Sequence, residues 1–192
     1  PEAEERLSAA EKRARQKRAT DRGTACHRML ELIHFSDISG YEDVKKEFDR
    51  VLSEKGMQPD AVRLVSPGMI AKFFRSGIAG RMKMADRQGK LRKESQFILG
   101  IPAREMKAAD SNELVLIQGI IDAWFEEKDG LVIVDYKTDR VKEGEEQTLL
   151  DHYQVQLQYY ARALSQITGK RVKEAVIYSL TIQKEINVPI GQ

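Results

Sequence analysis

The run Leu131-Val132-Ile133-Val134-Asp135-Tyr136-Lys137-Thr138-Asp139 constrains the fold most, because it sets an acid and a lysine inside an otherwise apolar strand. Side chains two apart on a strand share a face. Asp135 and Lys137 therefore stand side by side at the end of a buried strand. Burying a carboxylate and an ammonium costs on the order of several kcal/mol unless something pairs with them. A metal ion and a phosphate are such partners.

Leu114 to Glu126 reads as the preceding strand, and Asp129-Gly130 as a hairpin signal. A two-residue turn at Asp129-Gly130 sets Asp122 opposite Lys137, with Asp135 one diagonal step away. A four-residue turn that pairs Glu126 with Leu131 sets Asp122 opposite Asp135. Either register gathers all three on one face; a three-residue loop without a bulge does not. Gly119 suits a bulge or a close backbone approach. Two carboxylates and a lysine make a Mg²⁺ site with an added cation, since Mg²⁺ takes oxygen ligands and keeps several waters. A bare Asp-x-Lys is more often an ordinary ion pair; Asp122 on the matching face brings the two readings level.

The other bounds are negative. A length of 192 residues gives one domain with a sizeable core, or one domain with an insertion. The net charge of +2 offers no global polycation argument, so any nucleic-acid surface is local. A single cysteine, Cys26, excludes an internal disulfide, a cysteine-ligated iron–sulfur cluster and a zinc finger, and it fits a reducing, cytoplasmic setting. Cys26 itself reads as a small buried side chain. No Gly-x-x-x-x-Gly-Lys-[Ser/Thr] loop is present, so no ATP site is expected here. No apolar run reaches transmembrane length, and nothing reads as a signal peptide. A start at Pro1 reads as an excised or processed piece.

Along the chain, residues 1–22 read as a charged helix or linker. Its basic cluster Lys12, Arg13, Arg15, Lys17 and Arg18 reads as a solvated face, with contact to DNA or to a larger polypeptide as the alternative. Thr20 or Asp21 is positioned to cap a new helix carrying Cys26, Met29, Leu30 and Ile33 on its apolar face. His27 and His34 lie on that helix, and His34 reads as structural. Residues 39–87 read as helical, with Pro67 at a first helical position and Ser76-Gly77 as a break. Lys90 to Pro102 is the first strand. Ala103 to Glu113 is a polar connection. Glu145 to Thr168 is an amphipathic helix closed by Gly169. Two further strands, Val172 to Leu180 and Ile182 to Pro189, complete an α/β domain with a central mixed sheet flanked by helices.

Four short motifs occur in order: Gly23-x-x-x-His27, Gly119-x-x-Asp122, Asp135-x-Lys137 and Gln156-x-x-x-Tyr160. Each is weak alone. Together, from about Gly23 to Leu180, they resemble the RecB-like PD-(D/E)xK nucleases. The wording Val134-Asp135-Tyr136-Lys137-Thr138-Asp139-Arg140-Val141 is similar to the nuclease domains of AddA-type helicase–nucleases. The resemblance implies a restriction-endonuclease-like core over residues 23–192, with a helical insertion at about 39–87. It implies a metal-dependent DNA exonuclease acting in double-strand-break repair by homologous recombination. His27, Asp122 and Asp135 are implied as metal ligands, with the Tyr136 carbonyl as a further one and Glu94 as a second-shell or second-metal carboxylate. A surface ion pair of Glu94 with Lys93 or Arg92 is an equal reading.

In the same resemblance Lys137 acts on the water or the developing charge. Gln156 holds a phosphate or orders the loop around Lys137, while Tyr160 and Arg140 contact DNA. Gly23 lets the helix start sit near the site. Mg²⁺ is the expected ion, with Mn²⁺ admitted by the imidazole. The implied partners are single-stranded DNA, helicase domains of the same polypeptide and an AddB-like protein. The alternatives are a stand-alone phage or CRISPR-associated nuclease and a non-catalytic DNA-binding module on the same fold.

Overall fold

A computed structural model gives the architecture, described for residues 9–106 and 113–190. The chain divides into two compact units, Pro1–Arg75 and Ser76–Gln192.

The first unit is helical. Helix α1 (Ala9–Leu32) is followed by a 3-10 turn (Phe35–Asp37), α2 (Tyr41–Ser53), the single turn α3 (Pro59–Val62) and α4 (Pro67–Phe73). Pro67 stands in the first turn of α4, and the Ser66 hydroxyl accepts from the Met69 N–H at 3.3 Å. Two expected elements prove to be one. Residues 9–32 form a continuous helix, so Thr20 and Asp21 cap nothing and no helix starts near Gly23. The Thr20 hydroxyl instead donates to the Gln16 carbonyl at 3.2 Å. The flanking Ala, Glu, Lys, Arg and Gln are strong helix formers and outweigh a cap signal. The half of α1 after Gly23 buries Ala25, Cys26, Met29 and Leu30. Its end is tied to α2: the Arg50 guanidinium donates to the Leu32 carbonyl at 2.7 Å, and buried Glu47 accepts from the His34 N–H at 2.8 Å. Burial pushes the Glu47 carboxyl up, but bonds from Arg50 and the His34 N–H hold it below the ordinary range. Phe35, Phe73 and Phe74 pack edge to face at 4.9–6.0 Å between centroids.

The second unit holds helix α5 (Gly77–Arg87) and strands β1 (Leu91–Pro102), β2 (Leu114–Glu127) and β3 (Gly130–Lys137). Helix α6 (Glu146–Thr168) and strands β4 (Val172–Ser179) and β5 (Lys184–Val188) follow. The strands form one mixed sheet in sequence order; β3–β4 is its parallel pair, connected through α6, and the other neighbours are antiparallel. This is the mixed α/β arrangement expected from the sequence. Gly169 closes α6 in a left-handed conformation, φ 69°. The polar connection Ala103 to Glu113 begins as a 3-10 turn (Ala103–Met106), and residues 107–112 lie outside the described ones, as do 1–8 of the charged N-terminal stretch.

Both sheet faces are covered. Tyr136 sends its phenol toward the Met82 sulfur of α5, and the Arg81 guanidinium lies 5.5 Å from the Phe125 ring centroid. Arg81 also reaches Glu127 at 2.9 Å and Glu174 at 2.7 Å, so it braces the sheet instead of lining a DNA path. On the other face Leu149, Leu157, Tyr160 and Leu164 of α6 pack with Ile133, Ile177, Phe97 and Ile121. Among the described residues no helix is long and apolar enough to cross a membrane.

Candidate active site

The β2–β3 register decides where the acids stand. Glu126 pairs with Leu131 and Glu127 with Gly130, so Lys128-Asp129 is the turn and the two-residue turn at Asp129-Gly130 does not form. The reason lies outside the hairpin. The Leu131 N–H donates to the Arg171 carbonyl at 2.9 Å, and a Cβ on Gly130 would sit 2.9 Å from that same oxygen. Gly130 is therefore fixed at the strand start, with φ 151°. The ladder runs to Ala123–Val134, and its next step sets Asp122 opposite Asp135, the second of the two registers read from the sequence.

The same row extends to β1. Lys93 pairs with Ala123 and Ser95 with Ile121, so Glu94 is bracketed opposite Asp122, where regular pairing lapses. Glu94, Asp122 and Asp135 thus stand side by side on three adjacent strands. A carboxylate oxygen of Glu94 and one of Asp122 lie within 4.8 Å of each other. Glu94 has φ 48°, a left-handed backbone that costs a non-glycine residue roughly 1–2 kcal/mol. Past this point the strand alternation shifts phase. Ile121 and Trp124, three apart, both meet the core under α6, and the Trp124 indole N–H donates to the Ser95 hydroxyl at 2.9 Å. Sequence reading gave Glu94 no such conformation; its signal is a lone acid amid cations and polar residues at the head of an apolar strand. Arg92, offered as a partner for Glu94, directs its guanidinium to the Gly89 and Leu91 carbonyls at 2.7 and 3.0 Å.

Asp122 and Asp135 are anchored differently. Asp122 Oδ2 accepts from the Tyr136 N–H at 2.7 Å. Asp135 is buried, and its Oδ2 meets Lys137 Nζ at 2.6 Å. Lys137 also lies 4.2 Å from the Tyr153 ring centroid, and the Tyr153 hydroxyl donates to Asp139 at 2.9 Å. The lysine is thus held by an acid on its own strand and an aromatic face from α6.

Helix α6 supplies two more candidates. Gln156 Nε2 donates to the Tyr160 hydroxyl oxygen at 2.6 Å, so the partner of Gln156 is Tyr160. The Tyr160 ring meets Phe97 edge to face at 5.2 Å. Gly119 makes room for both rings: a Cβ there would sit 2.9 Å from Phe97 and 3.1 Å from Tyr160. Its pairing with Phe97 is regular, so Gly119 serves ring packing and not a bulge. Burial, followed by the field of Asp135, pushes the Tyr160 phenol up to about 12; Asp122 and Glu94 add to this and the Gln156 bond opposes it. Burial, then Asp122, Glu94 and Asp135, raises the Tyr136 phenol well above its usual range. Both tyrosines are neutral near pH 7.

The structure therefore brings Glu94, Asp122, Asp135, Lys137, Tyr136, Gln156 and Tyr160 into one neighbourhood of the second unit. Arg140 is exposed on the loop after β3, and His27 is half-buried on α1 of the first unit. Cys26 is fully buried, and burial raises its thiol while Arg22 opposes the rise.

Comparison with known proteins agrees with the chemistry of this row. Residues 2–189 match the family description "PD-(D/E)XK nuclease superfamily". The chain is 36% identical to AddA, the larger-named component of the ATP-dependent helicase/nuclease, of Lachnoclostridium phytofermentans, over 92% of this chain and 15% of that protein. It is 34% identical to the protein of the same name from Clostridium novyi, over 89% of this chain and 14% of that protein. For Clostridium perfringens the identity is 35%, over 93% and 14%. The chain thus spans about a seventh of the length of these relatives. It belongs to the PD-(D/E)XK nuclease superfamily and is related to the nuclease region of the AddA ATP-dependent helicase/nuclease proteins.

Proposed function

We propose that this chain is a metal-dependent deoxyribonuclease that hydrolyses phosphodiester bonds. The observation that carries the reading is the row Glu94–Asp122–Asp135 with Lys137 held against its inner end. Adjacent carboxylates repel, and such a row is stabilised by a cation. Hard oxygen donors in this number suit Mg²⁺, with Mn²⁺ as the second ion. The proposed ligands are His27, Asp122 and Asp135, with the Tyr136 carbonyl and Glu94 as further donors. The bound ion supplies Lewis acidity and a water of lowered pKa.

The chain's own groups do the rest. Lys137 Nζ, fixed between Asp135 and the Tyr153 ring, presents protons to the attacking oxygen or to the phosphoryl oxygens, where charge grows in the transition state. Tyr160 accepts from Gln156, which leaves its own proton to donate to a substrate phosphate. Arg140 is placed to bind the phosphate of a neighbouring nucleotide. In-line attack leaves a 5′-phosphate and a 3′-hydroxyl.

The relatives' names support a larger setting. In this proposal the chain is the exonuclease part of a bacterial, cytoplasmic ATP-dependent helicase/nuclease. Helicase domains of the same polypeptide and an AddB-like partner feed it single strands during recombinational repair of double-strand breaks.

The test is cleavage of end-labelled single-stranded DNA with Mg²⁺, with Mn²⁺ and with EDTA, by the wild type, Asp135→Ala and Lys137→Ala. Removing groups that act on the developing charge is expected to slow cleavage by roughly 10²-fold or more. Cleavage unchanged in Asp135→Ala, or undiminished by EDTA, would sink the proposal.

A further inference from the structure

We infer that the exposed first half of α1 is a rigid cationic arm that binds the phosphate backbone of the DNA. The inference rests on the nuclease reading and extends it to how substrate is captured. Ala10 through Asp21 is exposed at every position, whereas the second half of the same helix is buried among apolar side chains. An amphipathic surface helix would hide one face; this half hides none. It remains helical because its residues are strong helix formers and the packed half supplies the nucleus. At 1.5 Å per residue, twelve residues extend about 18 Å. That is about two screening lengths at physiological salt.

The charge on this arm is concentrated. Lys12, Arg13, Arg15, Lys17 and Arg18 place five cations in seven residues with no acid between them. The whole chain is +2, so the other 185 residues carry three more negative charges than positive ones. The rest of the molecule, carboxylate row included, therefore repels a polyanion at long range. The attraction a nuclease needs comes from these seven residues. Successive residues turn by 100°, which spreads the five cations around the whole helix. They occupy about 9 Å of axis, the reach of roughly three successive phosphates of one strand. A rigid arm in one piece with the helix that bears His27 keeps a captured strand at fixed reach from that residue, which a flexible tail would not do.

The test measures the salt dependence of binding with cleavage blocked. In EDTA, the Asp135→Ala protein binds a fluorescent 30-nucleotide single strand at a series of KCl concentrations, followed by anisotropy. The slope of log Kd against log salt is compared with that of Asp135→Ala carrying K12Q/R13Q/K17Q/R18Q. Gln keeps the helix propensity, and circular dichroism checks that the helix persists. Loss of about three phosphate contacts lowers the slope by about 2. A charge-matched control, K45Q/K46Q/R63Q/K170Q, removes four cations elsewhere and is expected to lower it by less than about 0.5. An unchanged slope for the arm variant, or equal effects of arm and control, overturns the inference; the first result would assign the arm to protein contact. Failure of the nuclease reading would show in the cleavage assay alone, because this measurement needs no turnover.

Discussion

Asp122 serves two purposes, and its two isosteres separate them. One oxygen accepts the Tyr136 N–H, and the carboxylate as a whole adds charge to the row. Asp122→Asn keeps an acceptor and removes the charge. It is expected to lose cleavage while unfolding at nearly the same urea concentration as wild type. Asp122→Ala leaves the Tyr136 N–H without its acceptor and should cost about 1–3 kcal/mol in the same urea titration. Glu94 poses the opposite test, because its backbone is strained at φ 48°. Glu94→Gly relieves the strain, so stability should hold or rise by up to about 1 kcal/mol in urea melts. Cleavage should fall if the carboxylate acts on the metal. Lower stability in that variant would mean that the Glu94 side chain contributes more than its backbone costs. The two-apart spacing of Asp135 and Lys137 made their shared face legible in the sequence. The left-handed turn at Glu94 was not, because nothing local in Lys93-Glu94-Ser95 requires it; it accompanies a change in which side of β2 meets α6.

Between elements, long-range ion pairs do work that no window of sequence reveals. Arg81 on α5 joins Glu127 at the end of β2 to Glu174 on β4, and Lys173 adds to the Glu127 pair. The Arg81 bond, assisted by Lys173 and opposed by burial, holds the Glu127 carboxyl down at about 2 from an ordinary 4.5. A depressed carboxyl stabilises the fold above its unfolded pKa, and this stability disappears as pH falls from about 4.5 toward 2. Discounted for solvent screening, the expected gain near pH 7 is about 1–2 kcal/mol. Urea unfolding of wild type and Glu127→Gln should differ by that amount at pH 7 and converge near pH 2. A difference that persists at low pH would assign the effect to packing. Helix α1 shows the converse failing of local rules. Thr20 and Asp21 have the right chemistry to cap, yet strong helix formers before them and buried contacts after them carry the helix through. Periodicity placed α6 and its Gly169 stop to within a residue because both signals are local.

For the whole second unit, strand order follows sequence order, and this is why the sheet could be read from hydrophobic runs and one hairpin. The outer part of β1–β2 departs from a covered sheet. Ile98, Leu114, Leu116 and Ile120 are exposed on one side of it, at 68%, 63%, 70% and 43%. Together they make an apolar surface of the kind that drives association. Replacing Ile98 and Leu116 by Lys should leave the melting temperature within a few degrees of wild type, since little burial is lost, and should reduce concentration-dependent light scattering. A large drop in melting temperature would show that the pair supports the fold. The relatives' greater length was not legible in these residues, since each motif is complete within the chain.

The carboxylate row lies on β1, β2 and β3, all made before α6 and β4. On a ribosome its three acids emerge as a meander held by its own backbone bonds, while the helix that covers it is still unmade. Synthesis thus assembles the most self-repelling part of the molecule first and its shelter last. Commitment to the native sheet waits for β4, whose parallel pairing with β3 closes only after Thr168 has left the exit tunnel.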